Sequence, residues 1–181
     1  GEPARYARQR EVFARSWSYL GDLATLDGAS AVPATLLDGA LDEPLMVTRE
    51  GGRLRVLSNV CTHRGALLLD APCEAPSIRC PYHGRHFRLD GSVAAAPGID
   101  PKPDEPLPAL PHAELGPMLF TALAPDAAFD ALLAPVAERL AFFDLAGLAP
   151  DPASARAYTI EAHWALWCDN YLEGFHIPYV H

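Results

Sequence analysis

The sequence is short of positive charge: 14 Lys and Arg stand against 23 Asp and Glu, leaving a formal charge of −9 over 181 residues. No basic run of the kind that follows a phosphate backbone occurs, so nucleic acid and anionic membrane surfaces are poor partners. An unbroken apolar run is missing as well. The most apolar stretch, Met118 to Ala149, is interrupted by Pro125, Asp126, Asp130, Pro135, Glu138 and Arg139, and a membrane span tolerates few such residues. The first ten residues carry Arg5, Arg8 and Arg10 with no apolar core behind them and do not read as a secretory signal. Cysteine is scarce. Cys61, Cys73, Cys80 and Cys168 make a thin disulfide framework for a chain that can bury roughly 70% of its unfolded surface without staples. Free thiols and metal ligation are the better expectation, with the cytoplasm as compartment.

What the chain does have is an ordinary globular balance, 50% hydrophobic and 20% charged. Apolar steps of three and four over Glu11 to Leu20 predict a short helix closed by Gly21, with one strand near Val32. Leu45 to Arg49 and Leu54 to Val60 are β-rich and separated by Glu50-Gly51-Gly52-Arg53, a hairpin signal. Further strands are expected at Ile78 to Cys80 and His86 to Leu89, so Leu45 to Val93 reads as a small antiparallel β unit. Seven prolines between Pro97 and Pro117 predict an extended wrapping segment. A strand at Met118 to Leu123, a helical stripe from Phe129 to Phe143 broken at Pro135, a strand at Ala157 to Ala162 and a helix over His163 to Glu173 complete the pattern. There is no internal repeat.

Two short phrases carry chemistry. Cys61-Thr62-His63-Arg64-Gly65 is followed by Cys80-Pro81-Tyr82-His83-Gly84, each after an expected strand. Thiolates and imidazoles together suit zinc or an iron–sulfur cluster. A zinc knuckle usually separates paired ligands by two to four residues, whereas one residue lies between Cys61 and His63, which favours two metals over one. Loops that each offer one Cys and one His match a cluster with two Cys on one iron and two His on the other.

CTHRG and CPYHG resemble the cluster motifs of Rieske proteins, and the surrounding chain resembles the α subunits of Rieske non-heme iron oxygenases, a group including aromatic-ring-hydroxylating dioxygenases and choline monooxygenase-like enzymes. The resemblance implies that Cys61 and Cys80 bind one iron of a [2Fe–2S] cluster and His63 and His83 the other. Imidazole ligation raises such a cluster's potential to somewhere between roughly −150 and +300 mV. Respiratory Rieske proteins carry an extra disulfide-forming Cys in each loop; Ala66 and Tyr82 stand at the candidate places, which points to the oxygenase type. One departure is Arg85, where the family usually has Trp. Cys73 reads as a loop thiol without a role and Cys168 as a core residue.

The second phrase is Asn170-Tyr171-Leu172-Glu173-Gly174-Phe175-His176-Ile177-Pro178-Tyr179-Val180-His181. Glu173 and His176, three apart, would share a helix face, and Pro178 would break the helix and let His181 swing towards His176. The phrase resembles the N-x-x-[DE]-x-x-H-x4-H stretch of the same family. By that resemblance His176 and His181 are two ligands of a mononuclear Fe(II), Glu173 bridges His176 to a cluster histidine of a neighbouring subunit, and Asn170 stands behind them. The family more often has Asp at the bridge, and its carboxylate iron ligand lies further downstream than any residue here, so the resemblance covers the N-terminal half or less of an α subunit.

The expected fold class is therefore α+β: an antiparallel β Rieske [2Fe–2S] domain followed by the start of an α+β helix-grip catalytic domain. Its expected parts are an N-terminal helical segment of the catalytic half (1–38), the Rieske domain with its Pro-rich segment (39–124) and the beginning of the mononuclear-iron domain (125–181). The implied function is that of a terminal oxygenase component. It takes electrons from NAD(P)H through a reductase, with or without a ferredoxin, and uses O2 to hydroxylate a small organic, by preference aromatic, substrate in a homotrimer. The rival is a Rieske ferredoxin-like electron carrier without catalytic iron. Such carriers usually end after about a hundred residues and lack the Asn170 to His181 phrase.

Overall fold

Strand β3 (Glu43–Glu50) explains most of the architecture. Leu45, Met46, Val47 and Thr48 are buried in succession. Successive side chains point to opposite faces, so a run of this kind requires both faces of the sheet to be covered. In this computed structural model, which describes residues 3–99 and 104–180, they are. Met46 and its neighbour Leu57 face one core with Cys61, Cys80, Ile78 and Phe87, while Leu45, Val47 and Val56 face another with Leu26, Leu36 and Leu119.

Four strands form that central antiparallel sheet, in the order β2 (Ala31–Leu36), β3, β4 (Arg53–Ser58) and β8 (Ala109–Leu110). β3 and β4 are the expected hairpin, paired from Leu45 opposite Ser58 to Glu50 opposite Arg53 around Gly51-Gly52. β2, which lies before residue 39, pairs along its whole length with β3. On one side sits a three-stranded sheet of β5 (Ser77–Arg79), β6 (His86–Arg88) and β7 (Val93–Ala95). Phe87 at its centre is fully buried, worth about 1.5–3 kcal/mol by transfer. Thr48 ties the two sheets by donating its hydroxyl to the Leu89 carbonyl at 2.7 Å. A third sheet joins β1 (Ser18–Asp22), β10 (Met118–Thr121) and β9 (His112–Leu115).

Several expectations change here. The N-terminal helix α1 (Pro3–Arg15) stops before Leu20, because Ser18–Asp22 extends to pair with β10. The Pro-rich segment is not wholly irregular: β8 and β9 lie between its prolines, with partners on β4 and β10. Pro135 lies inside α2 (Phe129–Arg139) instead of ending it.

Contacts divide the chain into Gly1–Pro150 and Asp151–His181. The second unit holds α3 (Trp164–Leu172) and the short α4 (Ile177–Val180). The expected strand over Ala157 to Ala162 is absent: the segment has no regular structure and its residues are exposed, with no neighbouring strand to pair with. Cys168, expected in a core, is also exposed. Among the described residues no helix is long and apolar enough to cross a membrane.

Candidate metal centre

Two loops of the first unit are built on one backbone frame. The N–H of Cys61 donates to the Ala66 carbonyl at 2.8 Å and the N–H of Gly65 to the Cys61 carbonyl at 2.9 Å. In the second loop the N–H of Cys80 donates to the Arg85 carbonyl at 2.7 Å and that of Gly84 to the Cys80 carbonyl at 3.0 Å. Gly65 and Gly84 close these turns at φ of 69° and 72°, the left-handed region where a Cβ is strained. Within the shared frame the histidine stands two residues after Cys61 but three after Cys80.

The frame sorts the four candidate ligands by environment. Both thiols are free and buried at 2% exposure, at the edge of the core they share with Phe87. His63 and His83 lie at the surface with ring centroids 4.9 Å apart, edge to face, and Tyr82 covers His83 at 3.8 Å. Burial pushes the Cys61 thiol up. At Cys80 burial acts in the same direction, but the N–H groups of Tyr82 and His83, the Cys61 thiol and the Arg85 charge together draw it down. The His63 imidazole is held below its usual range, by desolvation first and then by the Arg85 charge. A thiol pair with inward-turned N–H donors beside an imidazole pair is the donor set of a two-iron cluster. Among the described residues no three His, Cys, Asp or Glu side chains converge where a single ion would sit.

The family model for the Rieske [2Fe-2S] domain matches residues 21–113. The chain belongs to the Rieske family. It is 32% identical to the chloroplastic choline monooxygenase of Beta vulgaris over 99% of its own length and 42% of that protein. Its backbone is similar to the quaternary ammonium Rieske monooxygenase CntA in complex with gamma-butyrobetaine, with a TM-score of 0.79 at 28% identity, over 97% of this chain and 52% of that one. Naphthalene 1,2-dioxygenase with indole bound matches at a TM-score of 0.65 and 22% identity, over 77% of this chain and 33% of that one, a likeness of fold. The chain thus spans about half, or less, of the length of these Rieske relatives.

Arg85 is the feature of the second loop that the sequence reveals only in part. Its departure from Trp was visible; its surroundings were not. The side chain is 4% exposed and its Nη1 donates to Thr62 Oγ1 at 3.1 Å and to Glu105 Oε2 at 2.7 Å. Thr62 in turn donates to the Glu105 carbonyl at 2.9 Å. Asn59 was missed entirely. Buried just before the first loop, its amide accepts from the Leu69 N–H at 3.0 Å and donates to the Leu69 carbonyl at 2.7 Å. No motif marks Glu105 or Leu69 as partners, because both contacts depend on the tertiary path of the chain.

In the second unit Glu173 and His176 meet, though not on a helix face as expected. α3 ends at Leu172 and Glu173 is extended, so a turn brings the pair together. Glu173 Oε1 contacts His176 Nδ1, and Glu173 Oε2 accepts from the Phe175 N–H at 2.8 Å. The hydrogen bond from His176 holds the Glu173 carboxyl below the usual carboxylate range. Pro178 occupies the first turn of α4, where its missing N–H has no helical partner to lose. Asn170 is exposed and lines a shallow hollow with Tyr158, Trp164 and Trp167. His163 caps α3, its Nδ1 accepting from the Ala165 N–H at 3.2 Å. His181 lies outside the described residues.

Proposed function

We propose that this chain is the cluster-bearing part of a Rieske terminal oxygenase that acts on a quaternary ammonium compound. The observation that carries the reading is the paired donor set, two free thiols buried at the edge of one core and two surface imidazoles edge to face, on loops of one frame. Cys61 and Cys80 would hold one iron and His63 and His83 the other, leaving the imidazole side open for electron entry. When bound, the [2Fe–2S] cluster supplies one-electron storage and a mononuclear Fe(II) supplies oxygen activation.

Glu173 fixes the His176 ring through Nδ1, which directs coordination to Nε2, the usual carboxylate–histidine arrangement behind a ligand. His181 is the second proposed ligand of that iron, and Asn170 stands behind the pair. In this reading the cluster domain takes in β2, and residues 125–181 open the mononuclear-iron domain. Electrons come from NAD(P)H through a reductase, with or without a ferredoxin. A homotrimer places the cluster of one subunit beside the iron of the next, with Glu173 as the bridge.

The substrate preference shifts from the aromatic ring expected from sequence towards choline- or carnitine-like cations, because the relatives near 30% identity carry those names and the aromatic dioxygenase shares the fold alone. Supplied with NAD(P)H and a reductase, the complete iron-loaded subunit should consume O2 in response to choline or carnitine and not to naphthalene. A cluster that is reduced and reoxidised without any substrate-dependent O2 consumption would make the protein an electron carrier instead.

A further inference from the structure

We propose that Arg85 is a positioning residue for the cluster: it locks both ligand loops to the Pro-rich segment and sets the cluster's reduction potential through its buried charge. The inference rests on the reading of Cys61, His63, Cys80 and His83 as the cluster ligands.

The shared frame isolates what is special about this position. Ala66 and Arg85 are equivalent, each supplying the carbonyl that accepts from its loop's cysteine N–H. One side chain is a methyl; the other is a guanidinium with 4% exposure. A charge taken out of water at that depth is costly unless its surroundings answer it. Here the answer is incomplete. Nη1 is bonded to Thr62, which lies between the first cysteine and the first histidine, and to Glu105, which lies in the Pro-rich segment. With the Thr62 to Glu105 bond the three residues close a triangle across three segments far apart in sequence. Nε, however, is buried and has no hydrogen-bond partner among the described residues. Glu105 is about half exposed, so water screens its countercharge while the guanidinium stays dry. A net positive charge and a spare donor therefore remain behind the loops, against both of them: the Arg85 carbonyl accepts from the Cys80 N–H at 2.7 Å, and Nη1 reaches Thr62, the residue between Cys61 and His63, at 3.1 Å.

Reduction adds one negative charge to the cluster, and net charge and hydrogen bonding around it set its potential. A buried cation favours the reduced form; Glu105 opposes that effect in part. The two members of one ion pair should thus move the potential in opposite directions, which a purely structural clasp would not do.

The test uses the full chain loaded with iron and sulfide, with cluster absorbance followed in a redox titration and in a chelator challenge. Arg85→Gln should shift the reduction equilibrium about tenfold towards the oxidised form, equivalent to about 59 mV for one electron. Glu105→Gln should shift it towards the reduced form by a smaller factor, about threefold. Arg85→Lys should keep most of the wild-type potential but release iron faster, since the shorter lysine stem does not carry its nitrogen to the point from which Nη1 bonds both Thr62 and Glu105. Unchanged potentials in all three variants, or Arg85→Gln and Glu105→Gln moving the same way, overturn the proposal. If Arg85→Gln takes up no cluster, the Glu105→Gln and Arg85→Lys results decide alone. A wild-type chain that takes up zinc, or no metal, sinks the ligand assignment and this inference with it, an outcome distinct from an unmoved potential.

Discussion

Cys61 and Cys73 lie twelve residues apart, pack against the same core, and differ in what surrounds their sulfur. The N–H groups of His63 and Arg64 turn towards Cys61, and those of Tyr82 and His83 towards Cys80. Such donors favour a thiolate and, with it, metal ligation. Cys73 has only burial, which pushes its thiol up. Its backbone does the work there instead, exchanging hydrogen bonds of 2.9 and 3.1 Å with Ala31 on β2. Cys168 is exposed in the second unit. Ser replacement should therefore sort the four cysteines cleanly. Cys61→Ser and Cys80→Ser should abolish the visible absorbance of the loaded protein, whereas Cys73→Ser and Cys168→Ser should retain it within about a tenth, measured as absorbance per iron. The ligand candidates were legible in the sequence because each pair sits within four residues on one loop. Arg85 and Glu105 are twenty residues apart with no periodic relation, so only the folded path shows them as partners.

At the scale of elements, α1 is joined to the segment before α2 by the ion pair of Arg15 with Asp126, in which Arg15 Nε donates to Asp126 Oδ1 at 2.7 Å. Trp17 Nε1 adds a bond to the Ala127 carbonyl at 2.9 Å, and its ring meets Phe129 edge to face. The hydrogen bond from Arg15 holds the Asp126 carboxyl below its usual range. A carboxyl depressed in the folded state stabilises fully above its unfolded pKa, and the contribution is lost as pH falls through the lower folded value. Asp126→Asn should consequently lower the melting temperature at neutral pH by a small amount, since the pair is solvent-exposed, and the gap to wild type should close in acid. A gap that stays constant with pH would show the side chain acting through shape alone. Elements also mark where sequence reading stops. The β3–β4 hairpin was legible because two short β-branched runs flank the turn signal of Gly51-Gly52. Leu20 fits a helical step as well as a strand, and only the pairing of Ser18–Asp22 with β10 decides between them. Ala157 to Ala162 has strand composition and no partner.

Taken whole, the chain distributes its apolar surface unevenly. Both core clusters lie within residues 13–123, while in the second unit Trp167, Tyr171, Leu172, Phe175 and Tyr179 are 61% to 89% exposed. Clusters of exposed aromatics of this kind bind hydrophobic dyes and drive association. The 181-residue chain should bind such a dye strongly. Ending it after Pro150 should remove most of that fluorescence while leaving one cooperative melting transition, read by circular dichroism. Equal dye binding by both chains would place the sticky surface in the first unit. The two loop frames bear on something else, the order of assembly. The bonds that close the two turns run between backbone atoms, and Asn59 grips the exit of the first loop at both ends of its amide. Closing these turns therefore takes no side-chain ligation, and the entropy of ordering them belongs to the folding of the chain. On the proposed ligand assignment, cluster delivery would be insertion between turns whose backbone bonds are already made.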